Sequence, residues 1–138
     1  LNYLQNGEEL RTVFSKVQNF LTPGGLFFFD INSLYKFEKL YGDNTYVFEG
    51  NGGYCVWQNR YKKSKKQCDF LLTIFKAEKD GLYSRHEEEQ RQGYFSPASL
   101  EKTLKETGFE LIFKGRDYRG SPSQEKEGDV FYLAVCRK

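Results

Sequence analysis

Directly behind Thr22-Pro23-Gly24-Gly25 stands the run Leu26-Phe27-Phe28-Phe29-Asp30-Ile31, apolar at every position but one. Successive side chains of a strand point to opposite faces, so a strand of this composition has to bury both of them. That is the pattern of a central strand in a parallel sheet covered by helices, and it predicts an α/β fold. The segment in front agrees. Asn6 is placed to cap a helix, Glu8 and Glu9 suit the positive end of its dipole, and Leu10, Val13, Phe14, Val17 and Leu21 follow the helical period. The helix must stop where Pro23 cannot continue the hydrogen-bond ladder and glycine can take positive φ. Asp30 and Asn32 fall at the carboxyl end of the strand, where ligands sit in open α/β sheets.

Residues 33–40 read as a short helix with Leu34, Phe37 and Leu40 on one side, ended by Tyr41-Gly42-Asp43-Asn44. From Thr45 the texture becomes β. Strands are expected over 45–49, 54–62, 67–76 and 82–94, joined by Gly50-Asn51-Gly52-Gly53, by the basic loop Lys63-Ser64-Lys65-Lys66 and by Lys79-Asp80-Gly81. Consecutive strands on short turns make an antiparallel meander. Ser96 then caps a helix with Pro97 at its first position, Leu100 and Leu104 on its buried side and Gly108 at its end. Two last strands, 109–113 and 130–135, flank a polar loop that includes Ser121-Pro122-Ser123-Gln124.

Charge excludes little but directs the reading. Twenty-one basic and 19 acidic residues leave a net +2, which gives no electrostatic reason to expect nucleic-acid binding. Lys62, Lys63, Lys65 and Lys66 form the one basic cluster, either a solvated hairpin tip or a phosphate or RNA contact. Apolar runs fall far short of the roughly 20 residues that span a bilayer, and no signal peptide precedes them, so no membrane contact and a cytoplasmic location are expected. Cys55, Cys68 and Cys136, widely spaced beside the single His86, support neither a disulfide framework nor a metal site and read as small buried hydrophobes. A chain that starts at Leu1 and contains no methionine reads as a fragment.

The opening Leu1-Asn2-Tyr3-Leu4, the passage from Phe20-Leu21-Thr22-Pro23-Gly24-Gly25 into the apolar strand, and Gly108-Phe109 before the final hairpin together resemble the small bacterial class I S-adenosylmethionine-dependent methyltransferases. Asn32-Ser33-Leu34-Tyr35-Lys36 and Glu87-Glu88-Glu89-Gln90-Arg91 resemble a subgroup in which a meander inserted after the fifth strand covers the substrate pocket. The resemblance implies the C-terminal half of a Rossmann-like class I methyltransferase sheet with an inserted antiparallel β-meander. Residues 1–44 and 95–138 would form the partial core and 45–94 the substrate lid. It implies S-adenosylmethionine as cofactor and a small molecule as methyl acceptor. The departure is large: the family's glycine-rich turn after the first strand and the acidic residue ending its second strand are absent. Gly50-Asn51-Gly52-Gly53 joins two strands and does not open a helix, so it cannot replace them. Cofactor binding and activity are expected to fail in this chain alone.

Methyl transfer requires a nucleophile held in line and water excluded, with a base only if the nucleophile is protonated. The resemblance puts Asn2 and Tyr3 beside the cofactor; the alternative is a plain loop. Asp30 and Asn32 could orient substrate, or Asn32 could cap the next helix. In the second meander strand Cys55, Trp57, Asn59 and Tyr61 share one face and Tyr54, Val56, Gln58 and Arg60 the other. The expectation is that Trp57 packs and Arg60 faces a polar partner. His86 and Glu88 share a face and could form a general base with its orienting carboxylate, or belong to a solvated strand. Tyr35, Arg91, Tyr94 and Tyr118 are further candidates for the pocket wall. The apolar strand, deprived of neighbours, should drive dimerisation or contact with a missing N-terminal half. The rival reading is a non-enzymatic module in which the aromatic meander binds a small ligand or a protein.

Overall fold

The computed structural model describes residues 1–50, 52–116, 121 and 128–137. Helix α1 (Gly7–Phe20) begins as its sequence requires, with the Asn6 side chain accepting a hydrogen bond from the Glu9 backbone N–H at 2.9 Å. Leu10 and Phe14 on its apolar stripe are fully buried. Strand β1 (Leu26–Asn32) follows Gly24, whose φ of 81° makes the corner, and Gly25, where an added Cβ would sit 2.9 Å from the Thr22 carbonyl oxygen.

The chain then enters one wide turn of π-helix, Lys36–Tyr41, closed by the Gly42 N–H donating to the Phe37 carbonyl five residues back. Widening the turn changes which side chains share a side. Phe37 and Tyr41 are buried, while Leu40, expected beside Phe37 on the ordinary helical spacing, is exposed.

Strands β2 (Thr45–Gly50), β3 (Gly53–Lys62), β4 (Gln67–Ala77) and β5 (Tyr83–Gly93) form a four-stranded antiparallel meander in sequence order. Helix α2 (Pro97–Glu106), capped by Ser96, leads to β6 (Phe109–Gly115) and β7 (Asp129–Cys136). These pair antiparallel with a bulge at Ile112, and β7 continues onto β1, giving a second sheet of order β1-β7-β6.

The expectation for β1 needs correction on one point. Phe27, Phe29 and Ile31 pack against α1 and α2, but on the other face Leu26 and Phe28 are exposed. The single partner strand of β1 in this sheet is the antiparallel β7. Among the described residues the strand is therefore an edge, with Leu26 and Phe28 exposed on one face and the Phe28 ring stacked on Phe131 at 6.2 Å. Its composition anticipates a parallel neighbour that the described residues do not contain.

Among the described residues the buried apolar side chains fall into two clusters. One joins Leu10 and Phe14 of α1, Phe29 and Ile31 of β1, Leu100 and Leu104 of α2, Phe109 of β6 and Tyr132 of β7, where the Phe29 and Tyr132 rings stack at 5.1 Å. The other holds Phe37 and Tyr41 from the π turn against Cys68 and Phe70 of β4, with Trp57 and Tyr61 of β3 packed on them. The π turn is thus the wedge by which the meander is seated. Cys68 and Cys136 are buried and Cys55 is half-buried, all as free thiols, and burial pushes the Cys68 thiol up to about 11. Among the described residues no helix is long and apolar enough to cross a membrane.

Candidate functional site

The meander has an inner face and an outer face, set by strand alternation. In register, Trp57 stands opposite Leu72 and Glu88, Asn59 opposite Phe70 and Gln90, and Tyr61 opposite Cys68 and Gln92. This row is the inner face, and Asn59, Cys68, Phe70 and Gln92 on it are buried. Arg60, Asp69 and Arg91 form the neighbouring row, which points outward.

The inner face meets the carboxyl end of β1 through a buried knot of amides. The Asn2 Nδ2 donates to the Gly93 carbonyl at 2.9 Å, and the Asn32 backbone N–H donates to Asn2 Oδ1 at 2.7 Å. Asn32 Nδ2 donates to Gln92 Oε1 at 2.6 Å, and the Gly93 N–H donates to the Asn2 carbonyl at 2.8 Å. Asn2, Asn32 and Gln92 are all at least nine-tenths buried. Buried amides are tolerated only when paired, and here each pairing ties a different element to the others: the opening loop, β1 and β5. Beside the knot, the exposed Tyr3 hydroxyl donates to Gln90 Oε1 at 2.7 Å, and Gln90 Nε2 donates to Glu88 Oε1 at 2.5 Å.

Away from the knot the inner face is open. Phe48 is 52% exposed and Ile74 37%, and Cys55, Trp57 and Leu72 are half-buried. The Tyr46, Phe48 and Trp57 rings lie within 6.4 Å of one another by centroid, making an aromatic floor; on the same face, beyond Leu72 and Phe70, stand Glu88 and Gln90, the latter bonded to Tyr3. Aromatic rings beside a few polar groups suit a small amphipathic ligand or a cationic one.

The other expected residues divide between the two faces. Trp57 packs on Tyr41 and Phe70 on the inner face, and Arg60, opposite Asp69, lies with Arg91 on the outer face. Arg60 and Arg91 border a shallow depression of about 640 Å³. Its pivot is Asp69, which takes an ion pair from Arg91 Nε at 2.5 Å and another from Lys62. His86 is exposed on the inner face opposite Ile74, and Glu88 accepts from Gln90 instead of orienting it. Asp30 is exposed on the same face of β1 as Leu26 and Phe28, and Tyr35 is half-buried at the start of the π turn. Tyr118 lies outside the described residues. Gln92 and Gly93 carry no site signal in the sequence; Gln92 directly follows the exposed-looking run Glu87-Glu88-Glu89-Gln90-Arg91, and its strand parity with Gln90 is the one signal it gives.

The Arg91 hydrogen bond foremost, with Lys62 behind it, holds the Asp69 carboxyl down to about 2. A lowered carboxyl stabilises the fold above its ordinary range and loses that contribution as pH falls towards the folded value. Asp69→Asn should therefore remove about 1 kcal/mol of the stability lost between about pH 4 and pH 2, after allowing for solvent screening. Urea melts at a series of pH values read this, and identical acid profiles for the two proteins would show that the pair contributes nothing.

A cofactor cradle of the glycine-rich type needs a strand, a glycine turn and a helix in succession. Among the described residues Gly50, Gly52 and Gly53 join β2 to β3 and do not supply that cradle. Asn2 uses one amide N–H on Gly93 and its Oδ1 on Asn32, and the Tyr3 hydroxyl is on Gln90.

No protein-family model matches the chain. Among curated proteins it is 28% identical over 134 residues to a protein of Geobacillus sp. (strain WCH70) named "Putative methyltransferase", covering 97% of this chain and 54% of that one. A Bacillus subtilis (strain 168) protein with the same description is 24% identical over 140 residues, covering 100% and 56%. The chain spans about half the length of the curated relatives it matches. Among solved structures, a S-adenosylmethionine-dependent methyltransferase from Clostridium acetobutylicum ATCC 824 superposes with a TM-score of 0.89 at 25% identity, over 99% of this chain and 55% of its own. In sequence over its whole length, and in fold, the chain resembles the C-terminal part of a S-adenosylmethionine-dependent methyltransferase.

Proposed function

We propose that this chain is the acceptor-binding portion of a S-adenosylmethionine-dependent methyltransferase, and that a small molecule is held on the open inner face of the meander. The observation that carries the reading is the amide knot. It clamps that face to the carboxyl end of β1, the end of an α/β strand where ligands bind. Similarity to methyltransferases over the whole chain supports the reaction class.

Within this reading the chain's own residues position and shield. Phe48 and Trp57 give the acceptor an apolar floor, Glu88, Gln90 and Tyr3 offer polar contacts farther along the same face, and the floor keeps water from one side. His86 and Glu88 are not hydrogen-bonded to each other, so a general base is not part of the proposal. Cofactor contacts are assigned to segments beyond those described.

Calorimetric titration of S-adenosylhomocysteine tests the division of labour. A protein extended to the length of the curated relatives should bind, and this chain should not; failure of the extended protein would overturn the methyltransferase reading. Trp57 is the chain's only tryptophan, so its emission reports on the floor. Small amines and alcohols that bind should shift it, and Phe48→Ser should weaken that response about tenfold, the value of one lost aromatic contact. An unchanged response in Phe48→Ser would place the acceptor elsewhere.

A further inference from the structure

The two edges of the meander are built differently. Edge strand β5 carries Arg85, Glu87, Glu88, Glu89 and Arg91, a density of charge that discourages another strand from pairing with it. Edge strand β2, Thr45-Tyr46-Val47-Phe48-Glu49-Gly50, carries one charge and neither lysine nor proline. Val47 is 64% exposed on its outer face and Phe48 52% on its inner face.

The backbone of β2 is also open. Asn59 donates to the Asn44 carbonyl at 2.9 Å, and the register pairs Thr45 with Gln58 and Tyr46 with Trp57. In an antiparallel pair the bonded positions alternate, so Tyr46 and Phe48 bond to β3 while the N–H and C=O groups of Thr45, Val47 and Glu49 point away from it. Among the described residues no turn, loop or cap hydrogen bond reaches those groups.

We propose that β2 pairs with β2 of a second copy of this chain, antiparallel across a twofold axis at Val47. A twofold perpendicular to the sheet makes the pairing antiparallel and keeps inner face beside inner face. Centring it on Val47 is the register that engages all three outward-pointing residues of both strands. Val47 then faces Val47, and Thr45 faces the partner's Glu49, so a hydroxyl meets each carboxylate. A register centred on Glu49 would set the two carboxylates against each other. On the inner face Tyr46 comes opposite the partner's Phe48, a favourable aromatic pair. On the outer face the axis runs into an apolar groove of about 370 Å³ lined by Val47, Tyr54, Val56, Phe75 and Tyr83.

The result is one eight-stranded sheet. It brings the partner's Tyr46 beside Phe48 at the margin of the aromatic floor, so that each copy completes the wall of the other's inner face. The pairing itself does not depend on the methyltransferase reading.

Sedimentation of the chain over a concentration series tests this. The wild-type chain should show a monomer–dimer equilibrium. Val47→Lys and Val47→Glu, each setting like charges face to face across the axis, should each raise its dissociation constant by about tenfold or more, and an equimolar mixture of the two should restore association. Thr45→Lys, which sets an ammonium against the partner's Glu49, should tighten it. Circular dichroism confirms that each variant is folded. A wild-type chain that stays monomeric, variants that associate like wild type through another surface such as the open edge of β1, or a mixture that fails to recover would each overturn the proposal.

Discussion

Phe37→Ala should destabilise the chain by about 3–5 kcal/mol, the range for truncating a fully buried phenylalanine. Phe37 is 0% exposed; its ring meets Tyr41 edge-on at 5.7 Å and lies 6.4 Å from Tyr61, while Tyr41 in turn packs on Phe70 at 4.9 Å. The loss is large beside the roughly 5–15 kcal/mol that holds a small domain together. It should also be localised. The ring is the wedge between the π turn and the meander, so the cavity it leaves opens onto Phe70, Tyr61 and Trp57 while the cluster around Phe14 and Tyr132 keeps its contacts. Urea denaturation followed by Trp57 fluorescence should show a lower midpoint, and Phe37→Leu should recover most of it. A loss below about 1 kcal/mol would mean that the π turn does not seat the meander.

Asn2→Ala should cost about 2–4 kcal/mol, because it leaves two buried backbone groups, the Asn32 N–H and the Gly93 carbonyl, without partners. Hydrogen exchange should quicken at Asn32 and at neighbouring amides of β1 and β5, while α1 and α2 keep their protection. Asn2→Asp retains the acceptor for Asn32 but loses the donor to Gly93, and should fall between wild type and alanine. Uniform loss of protection throughout the chain would refute a local clamp. In a protein extended to the length of its relatives, the same substitution should weaken the Trp57 response to small ligands without abolishing binding of S-adenosylhomocysteine, since the knot positions the floor.

Most elements were legible in sequence because each carries its own chemistry. The Asn6 cap, the Pro23-Gly24-Gly25 stop, the Ser96-Pro97 start and the strand alternation of the meander act over a few residues and fold as read. The π turn was misread by one step, since Leu40 and Tyr41 are both apolar enough to face inward and the choice between them rests on how wide the turn is. The wide turn sets Tyr41 on Phe70, which lies far along the chain. Strand alternation likewise divides Trp57 from Arg60 within β3, but nothing local tells which face the rest of the molecule will cover.

What the sequence determined by itself is the succession of elements, the partition of each strand into two faces, and a resemblance to methyltransferases that the comparison with known proteins supports. Those properties depend on steric rules and hydrophobic period, which operate between near neighbours. Only the tertiary structure decided that Asn2, Asn32, Gln92 and Gly93 meet, that the inner face stays open at Phe48 while the outer face holds the arginines, and that β2 presents an unprotected edge. Those properties depend on contacts between residues up to 91 positions apart, where buried polar groups must find partners and chain spacing carries no information about which ones they find.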